Sequence, residues 1–138
     1  MEDIRDPLRA ACDEILGRGE TPVVVVMDLP GAGVIRHQRD DASLRDFHAA
    51  VGASFVAAAR GGAWLPVSDE RVIGVLPACE RLRLFALIGK LERSLPLVAQ
   101  SYDCELVPEF DSVEYDERTG LAGLVSYVTR PRPREQVA

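Results

Sequence analysis

The run Val23-Val-Val-Val-Met27 constrains this chain more than any other feature. β-Branched side chains are stiff at χ1 and favour extended backbone. A strand with one wet face alternates apolar and polar residues; this one does not, so both of its faces need cover. The run therefore predicts a central strand with a layer on either side. It ends in Asp28 and then Leu29-Pro-Gly-Ala-Gly33, which is turn chemistry, after which Val34-Ile-Arg-His-Gln38 is expected to return as a second strand. Asp28 is read as the opening of that hairpin turn, where a carboxylate accepts hydrogen bonds from turn backbone, and not as a metal ligand.

Around this strand, Ile4, Leu8, Ala11, Ile15 and Leu16 recur at helical spacing, with Gly17 and Gly19 closing a first helix. Ser43 is expected to open a second, with Asp46 in the capping-box position and Leu44, Phe47, Val51, Phe55 and Ala58 as its apolar stripe. Beside that stripe run Ala49, Gly52, Ala53, Val56 and Ala57, a row of mostly small residues. Such a row lets a helix approach its neighbour closely, whether the chain's own sheet or the same helix of a second copy. Residues 63–68 and 71–76 read as two strands joined by a tight turn at Asp69-Glu70, with Pro66 marking a sheet edge or a bulge.

Two segments matter for the choice of fold. Glu80–Leu95 reads as a helix through Leu84, Ile88, Leu91 and Leu95, yet Leu84-Phe-Ala-Leu-Ile88 is apolar enough for a strand. Val113-Glu-Tyr115 and Leu121–Val128 flank Asp116-Glu-Arg-Thr-Gly120 and predict a C-terminal hairpin, followed by a basic extended tail at 130–138. The expected architecture is a single α/β (α+β) domain, a central, mostly antiparallel sheet packed with two to three helices.

Charge and reactive residues narrow the function. A net charge of −6 over 138 residues argues against nucleic acid, which needs a basic footprint. No apolar run approaches the roughly 18 residues of a membrane span, and Met1-Glu-Asp-Ile-Arg-Asp6 does not open a signal peptide, so the expected location is cytoplasmic. Cys12, Cys79 and Cys104 are odd in number and far apart, which fits reduced structural thiols. His37 and His48 have no cysteine at ligand spacing, so no zinc site is expected. There is no Gly-x-Ser-x-Gly elbow, and Leu29–Gly33 lacks the Lys-Ser/Thr of a phosphate-binding loop. These readings name no catalytic residue and no cofactor.

Two families are resembled. With Leu82–Ile88 as a strand, the order helix, two strands, helix, three strands, helix resembles the Roadblock/dynein light chain family over residues 4–103. "LRAACDEILGRGETPVVVVMDLPGAGVIRHQ" looks like its first helix and hairpin, and "ASLRDFHAAVGASFVAAARGG" like its alanine-rich central helix. "RVIGVLPACERLRLFALIGKLERSLPLVAQSY" looks like its last hairpin and closing helix. On that reading residues 1–110 form one Roadblock-like domain and 111–129 an added hairpin. The resemblance implies a homodimer, a non-enzymatic bacterial regulator or scaffold acting through protein contacts, with a small Ras-like GTPase as partner. Arg36, Arg39, Arg45 and Arg60 are available to such a partner. This is the leading sequence-based expectation.

The alternative is carried by Val25-Val-Met-Asp-Leu-Pro-Gly31, Gly61-Gly62 and Ser68-Asp-Glu-Arg-Val-Ile-Gly-Val-Leu76. Over residues 21–95 these resemble the palm of class III nucleotidyl cyclases and diguanylate cyclases, in which an aspartate after the first strand and another in a later hairpin bind the metals. The resemblance implies Asp28 and Asp69 as ligands for Mg²⁺ with a nucleoside triphosphate. Ser68 stands where those families have glycine and Pro30 where they have a second aspartate, so the palm implied is a degenerate one.

Overall fold

The computed structural model describes residues 3–131. Its elements, in chain order, are α1 (Arg5–Gly17), β1 (Pro22–Asp28), α2 (Val34–Gln38), α3 (Asp41–Ala59), β2 (Ala63–Ser68), β3 (Arg71–Pro77), α4 (Arg81–Gln100), β4 (Glu109–Glu114) and α5 (Gly120–Thr129). The four strands make one antiparallel sheet in the order β2-β3-β1-β4. The α+β class and the antiparallel sheet are as the sequence predicts. The helices among the described residues number five rather than two to three.

β1 lies inside the sheet, as its continuous apolar run requires. Val23, Val25 and Met27 face a core built from α3 and α4, while Val24 and Val26 face a second core with α1 and α5. Val24, Val25 and Met27 are fully buried. Each such side chain contributes about 1.5–3 kcal/mol relative to exposure, so the strand anchors both layers. β2 is an edge strand with a register shift between Pro66 and Ser68, which places Pro66 at both an edge and a bulge.

α3 approaches the sheet so closely that glycine is required at two points. A Cβ on Gly52 would lie 2.2 Å from the ring of Trp64, and one on Gly74 2.3 Å from the ring of Phe55. The helix begins one turn earlier in effect than Ser43: Asp40 is the N-cap, its Oδ1 accepting from the Ser43 amide at 2.7 Å. That hydrogen bond satisfies one of the orphan donors of the first turn.

One expectation is corrected here, and the open choice at Glu80–Leu95 is decided. Val34–Gln38 is the short helix α2 and not a strand, because the turn at Leu29–Gly33 tightens instead of reversing. Successive amides donate three residues back, Ala32 to Leu29, Val34 to Gly31, Ile35 to Ala32 and Arg36 to Gly33, and the chain is already coiled when it reaches Val34. Glu80–Leu95 is helical: Leu87, Leu91, Leu95 and Ala99 are buried at four-residue spacing, while Leu82 and Phe85 turn outward. Pro96 lies within α4 and does not end it.

The segment 111–129 is not an added hairpin. β4 pairs with β1 along its length, Val24 opposite Val113, and α5 packs Leu124 and Val128 into the core shared with α1. It belongs to the body of the domain. The Roadblock order needs strands at 34–38 and 82–88, and the chain builds helices at both. Of the tail at 130–138, residues 132–138 lie outside the described residues.

Candidate functional site

The turn joining β2 to β3 carries Asp69, Glu70 and Arg71, and it meets the end of β1 because Asp28 pairs with Arg71 in the antiparallel register. Alternation along β1 puts Asp28 on the face of Val24 and Val26, toward α1 and α5. There Arg71 grips it with a fork, Nε donating to Oδ1 at 2.7 Å and Nη2 to Oδ2 at 3.2 Å. Nη1 of the same guanidinium donates to the carbonyls of Val128, at 2.8 Å, and Arg130. The Val128 carbonyl belongs to the last turn of α5, which lacks intrahelical donors, and Arg130 is the C-cap just beyond it; a cation there also complements the helix dipole. The two side chains are 11% and 13% exposed, so this is a mostly buried pair.

Asp69 goes the other way. Its Oδ2 accepts from Arg36 Nη1 of α2 at 2.8 Å, and Arg36 Nε also reaches Asp41 at 2.8 Å. Its carbonyl oxygen meets Nε2 of His48 from α3 at 2.9 Å. Burial holds the pKa of His48 below its ordinary value, the contact with Asp69 opposing this only in part. Glu70 bends over the β1–α2 loop, where Oε2 accepts from the amides of Gly31 at 2.8 Å and Gly33 at 3.4 Å. Gly31 has φ +91°, a conformation open to glycine.

The two acids named for a metal are thus brought to one end of the sheet but not to one site. Asp28 is drawn toward α5 and Asp69 toward α2 and α3, each against an arginine. A divalent cation held by carboxylates needs several convergent hard oxygens. Here both oxygens of Asp28 face a guanidinium, and the described residues contain no group of three His, Cys, Asp or Glu placed to hold an ion. The residues do not fit the metal pair that the cyclase resemblance implies.

A second concavity lies at the other end of the sheet, between the α1–β1 turn, the α3–β2 loop and the start of α4. It has a volume of about 700 Å³, and its charged lining is Arg18, Glu20, Arg60, Arg83 and Lys90. Arg18 is paired with Glu20 at 3.4 Å. Among the described residues no acid pairs with Arg60, Arg83 or Lys90. Arg60 ends α3 in the left-handed conformation, φ 59°, followed by Gly61 and Gly62, and this bend carries its side chain to the pocket. The N-terminus of the 20-residue α4 adjoins, and its N-cap Glu80 makes no side-chain capping bond. A cluster of unpaired cations beside a helix N-terminus favours an anion. In a chain of net charge −6 this is local and specific to the pocket.

The small-residue row on α3 is divided by the fold. Gly52 and Val56 turn inward, the first against Trp64 and the second onto the core, while Ala49, Ala53 and Ala57 are exposed. Of the arginines offered to a partner, Arg36 is engaged by Asp69 and Asp41, Arg39 by Asp103 at 2.7 Å, and Arg60 lines the basic pocket. Arg71, Glu70, Arg83 and Lys90 were not singled out by sequence. An arginine opening a strand gives no hint of its partner until the strand register is known. The two pocket cations on α4 look like an ordinary solvated face.

No protein-family model matches this sequence, and no curated protein matches it. Solved structures do. The GGDEF domain of DgcB from Caulobacter crescentus, in complex with c-di-GMP, aligns over 89% of this chain and 76% of its own, with TM-score 0.62 and 13% identity. The fold is GGDEF-like. The active GGEEF domain of a diguanylate cyclase from Vibrio cholerae aligns over 83% and 75%, with TM-score 0.59 and 12% identity. Diguanylate cyclase SiaD from Pseudomonas aeruginosa, in complex with its activator SiaC, aligns over 91% of this chain and 50% of its own, with TM-score 0.67 and 11% identity.

These similarities overturn the leading expectation from sequence. A Roadblock regulator of a small GTPase has no support in either the element order or the structural neighbours, and the cyclase-like palm stands in its place. Among the described residues no helix is long and apolar enough to cross a membrane.

Proposed function

We propose that this GGDEF-like domain is a degenerate palm that binds a phosphate-bearing nucleotide without cyclising it. The observation that carries the reading is the basic pocket, where Arg60, Arg83 and Lys90 converge on about 700 Å³ at the start of α4. That volume suits a nucleotide-sized ligand. The palm end, by contrast, has its carboxylates committed to arginines. Because the DgcB domain is described in complex with c-di-GMP, a cyclic guanine dinucleotide is the first ligand to test, with GTP the second. Two phosphodiesters offer anionic oxygens to three cations, and Arg60 and Arg83 supply planar forks for them. On this reading a homodimer forms through the exposed Ala49, Ala53 and Ala57.

The test is the thermal midpoint of the chain with c-di-GMP, with GTP, and with GTP plus Mg²⁺. A ligand confined to the native state raises the midpoint by mass action. The expected result is a rise with c-di-GMP in EDTA that persists in Asp28→Asn and disappears in Arg60→Ala/Arg83→Ala. A rise that requires Mg²⁺ and vanishes in Asp28→Asn would restore the Mg²⁺–nucleoside triphosphate reading. No rise with any of the three would remove nucleotide binding from the account.

A further inference from the structure

The palm end of the sheet holds opposite charges where a metal–nucleotide complex would bring its own. Asp28 lines a cavity of about 530 Å³ together with Asp3, Ser68, Glu70 and Arg71. Arg5 and Arg130 line it too, so its three acids, Asp3, Asp28 and Glu70, are matched by three arginines, and the cavity offers a cation no surplus of negative charge. We propose that the guanidinium of Arg71 takes the place of a divalent cation, so that the domain is closed to divalent metal by its own side chain.

Three features support this. The fork of Arg71 faces both oxygens of Asp28, at 2.7 and 3.2 Å, in the bidentate manner that matches guanidinium to carboxylate. The guanidinium does not swing freely, because Nη1 is held by the carbonyls of Val128 and Arg130, and the pair is mostly buried. Finally, the neighbouring loop shows the same substitution with reversed sign. The Glu70 carboxylate accepts from the amides of Gly31 and Gly33, a pair of loop donors of the sort that holds phosphate oxygen. Arg71 thus stands against Asp28 where a cation would stand, and Glu70 stands against the loop amides where an anion would.

This inference goes beyond nucleotide binding in the basic pocket, and its test contains no nucleotide. The full chain is titrated with Mn²⁺, followed by the electron paramagnetic resonance signal of free Mn²⁺ and by the thermal midpoint. Wild type and Arg71→Lys, which keeps the positive charge, should show no saturable site at millimolar Mn²⁺. Arg71→Met should gain one, with a rise in midpoint of roughly 5 °C at saturating metal. That gain should be lost in Asp28→Asn/Arg71→Met. If Arg71→Met is unfolded, millimolar Mn²⁺ should restore a cooperative transition. A saturable Mn²⁺ site in wild type that depends on Asp28 would overturn the proposal. So would a folded Arg71→Met without a new site, or an unfolded one that Mn²⁺ does not restore.

Discussion

Replacing Arg71 by methionine leaves the most exacting test of the packing argument. The substitution removes two hydrogen bonds to Asp28 and two to the carbonyls of Val128 and Arg130. It strands a carboxylate whose side chain is only 13% exposed. Removing one partner of a buried, hydrogen-bonded pair costs about 3–5 kcal/mol, most of it the uncompensated charge. For a chain of this size that corresponds to a fall in thermal midpoint of about 10–20 °C. Asp28→Leu alone should cost a similar amount, since it leaves the guanidinium buried without its acid. The double variant Asp28→Leu/Arg71→Met removes both charges and should recover at least about 2 kcal/mol of the summed losses. Urea melts of the four proteins measure this directly. Single costs below about 1 kcal/mol, or strict additivity, would mean that the pair is screened by solvent, and the reasoning about a built-in counter-cation would fail with it.

Other outcomes follow from the same geometry. Gly74→Ala places a methyl group 2.3 Å from the Phe55 ring and should destabilise by about 1–3 kcal/mol in a urea melt, as should Gly52→Ala against Trp64. His48 has its pKa lowered by burial, so the unfolded chain takes up a proton first as pH falls. Its contribution is therefore complete above about pH 6.5 and is lost as pH falls through the lower folded value, and His48→Gln should flatten the pH dependence of the midpoint across that window. Of the three thiols, only Cys79 is exposed, and it lines the basic pocket, while burial raises the pKa of Cys12 and Cys104. A maleimide should therefore label Cys79 first in the native protein, and c-di-GMP should slow that labelling.

What the sequence disclosed and what it hid have a common physical basis. The unbroken Val23–Met27 run announced a strand covered on both faces, and Pro66 announced an irregular edge, because both signals are local and steric. The errors fell where local preference was divided. Val34 and Ile35 favour a strand by propensity, but the hydrogen bonds that coil Leu29–Gly33 are supported by the Glu70 side chain, 39 residues away from Gly31. Leu121, Leu124, Val125 and Val128 do carry helical spacing, yet Val125, Val128 and Thr129 are β-branched, and composition outweighed period.

The candidate site was legible only in part for the same reason. Asp28 and Asp69 stood out as acids beside turns, but the partner of each is set by long-range register. Arg71 faces Asp28 across 43 residues, and Arg36 faces Asp69 across 33. The basic pocket draws its unpaired cations from the end of α3 and from α4, with β2 and β3 between them in the chain, so no short window of sequence contains it.

The central claim, that nucleotide is held at the basic pocket and not at the palm carboxylates, is tested most directly by amide chemical shifts during a c-di-GMP titration in EDTA. The account predicts that the perturbed amides lie at 60–62 and 78–83, while those of 28–33 and 69–71 stay in place. Shifts concentrated at 28–33 and 69–71 would contradict it and return the nucleotide to the palm.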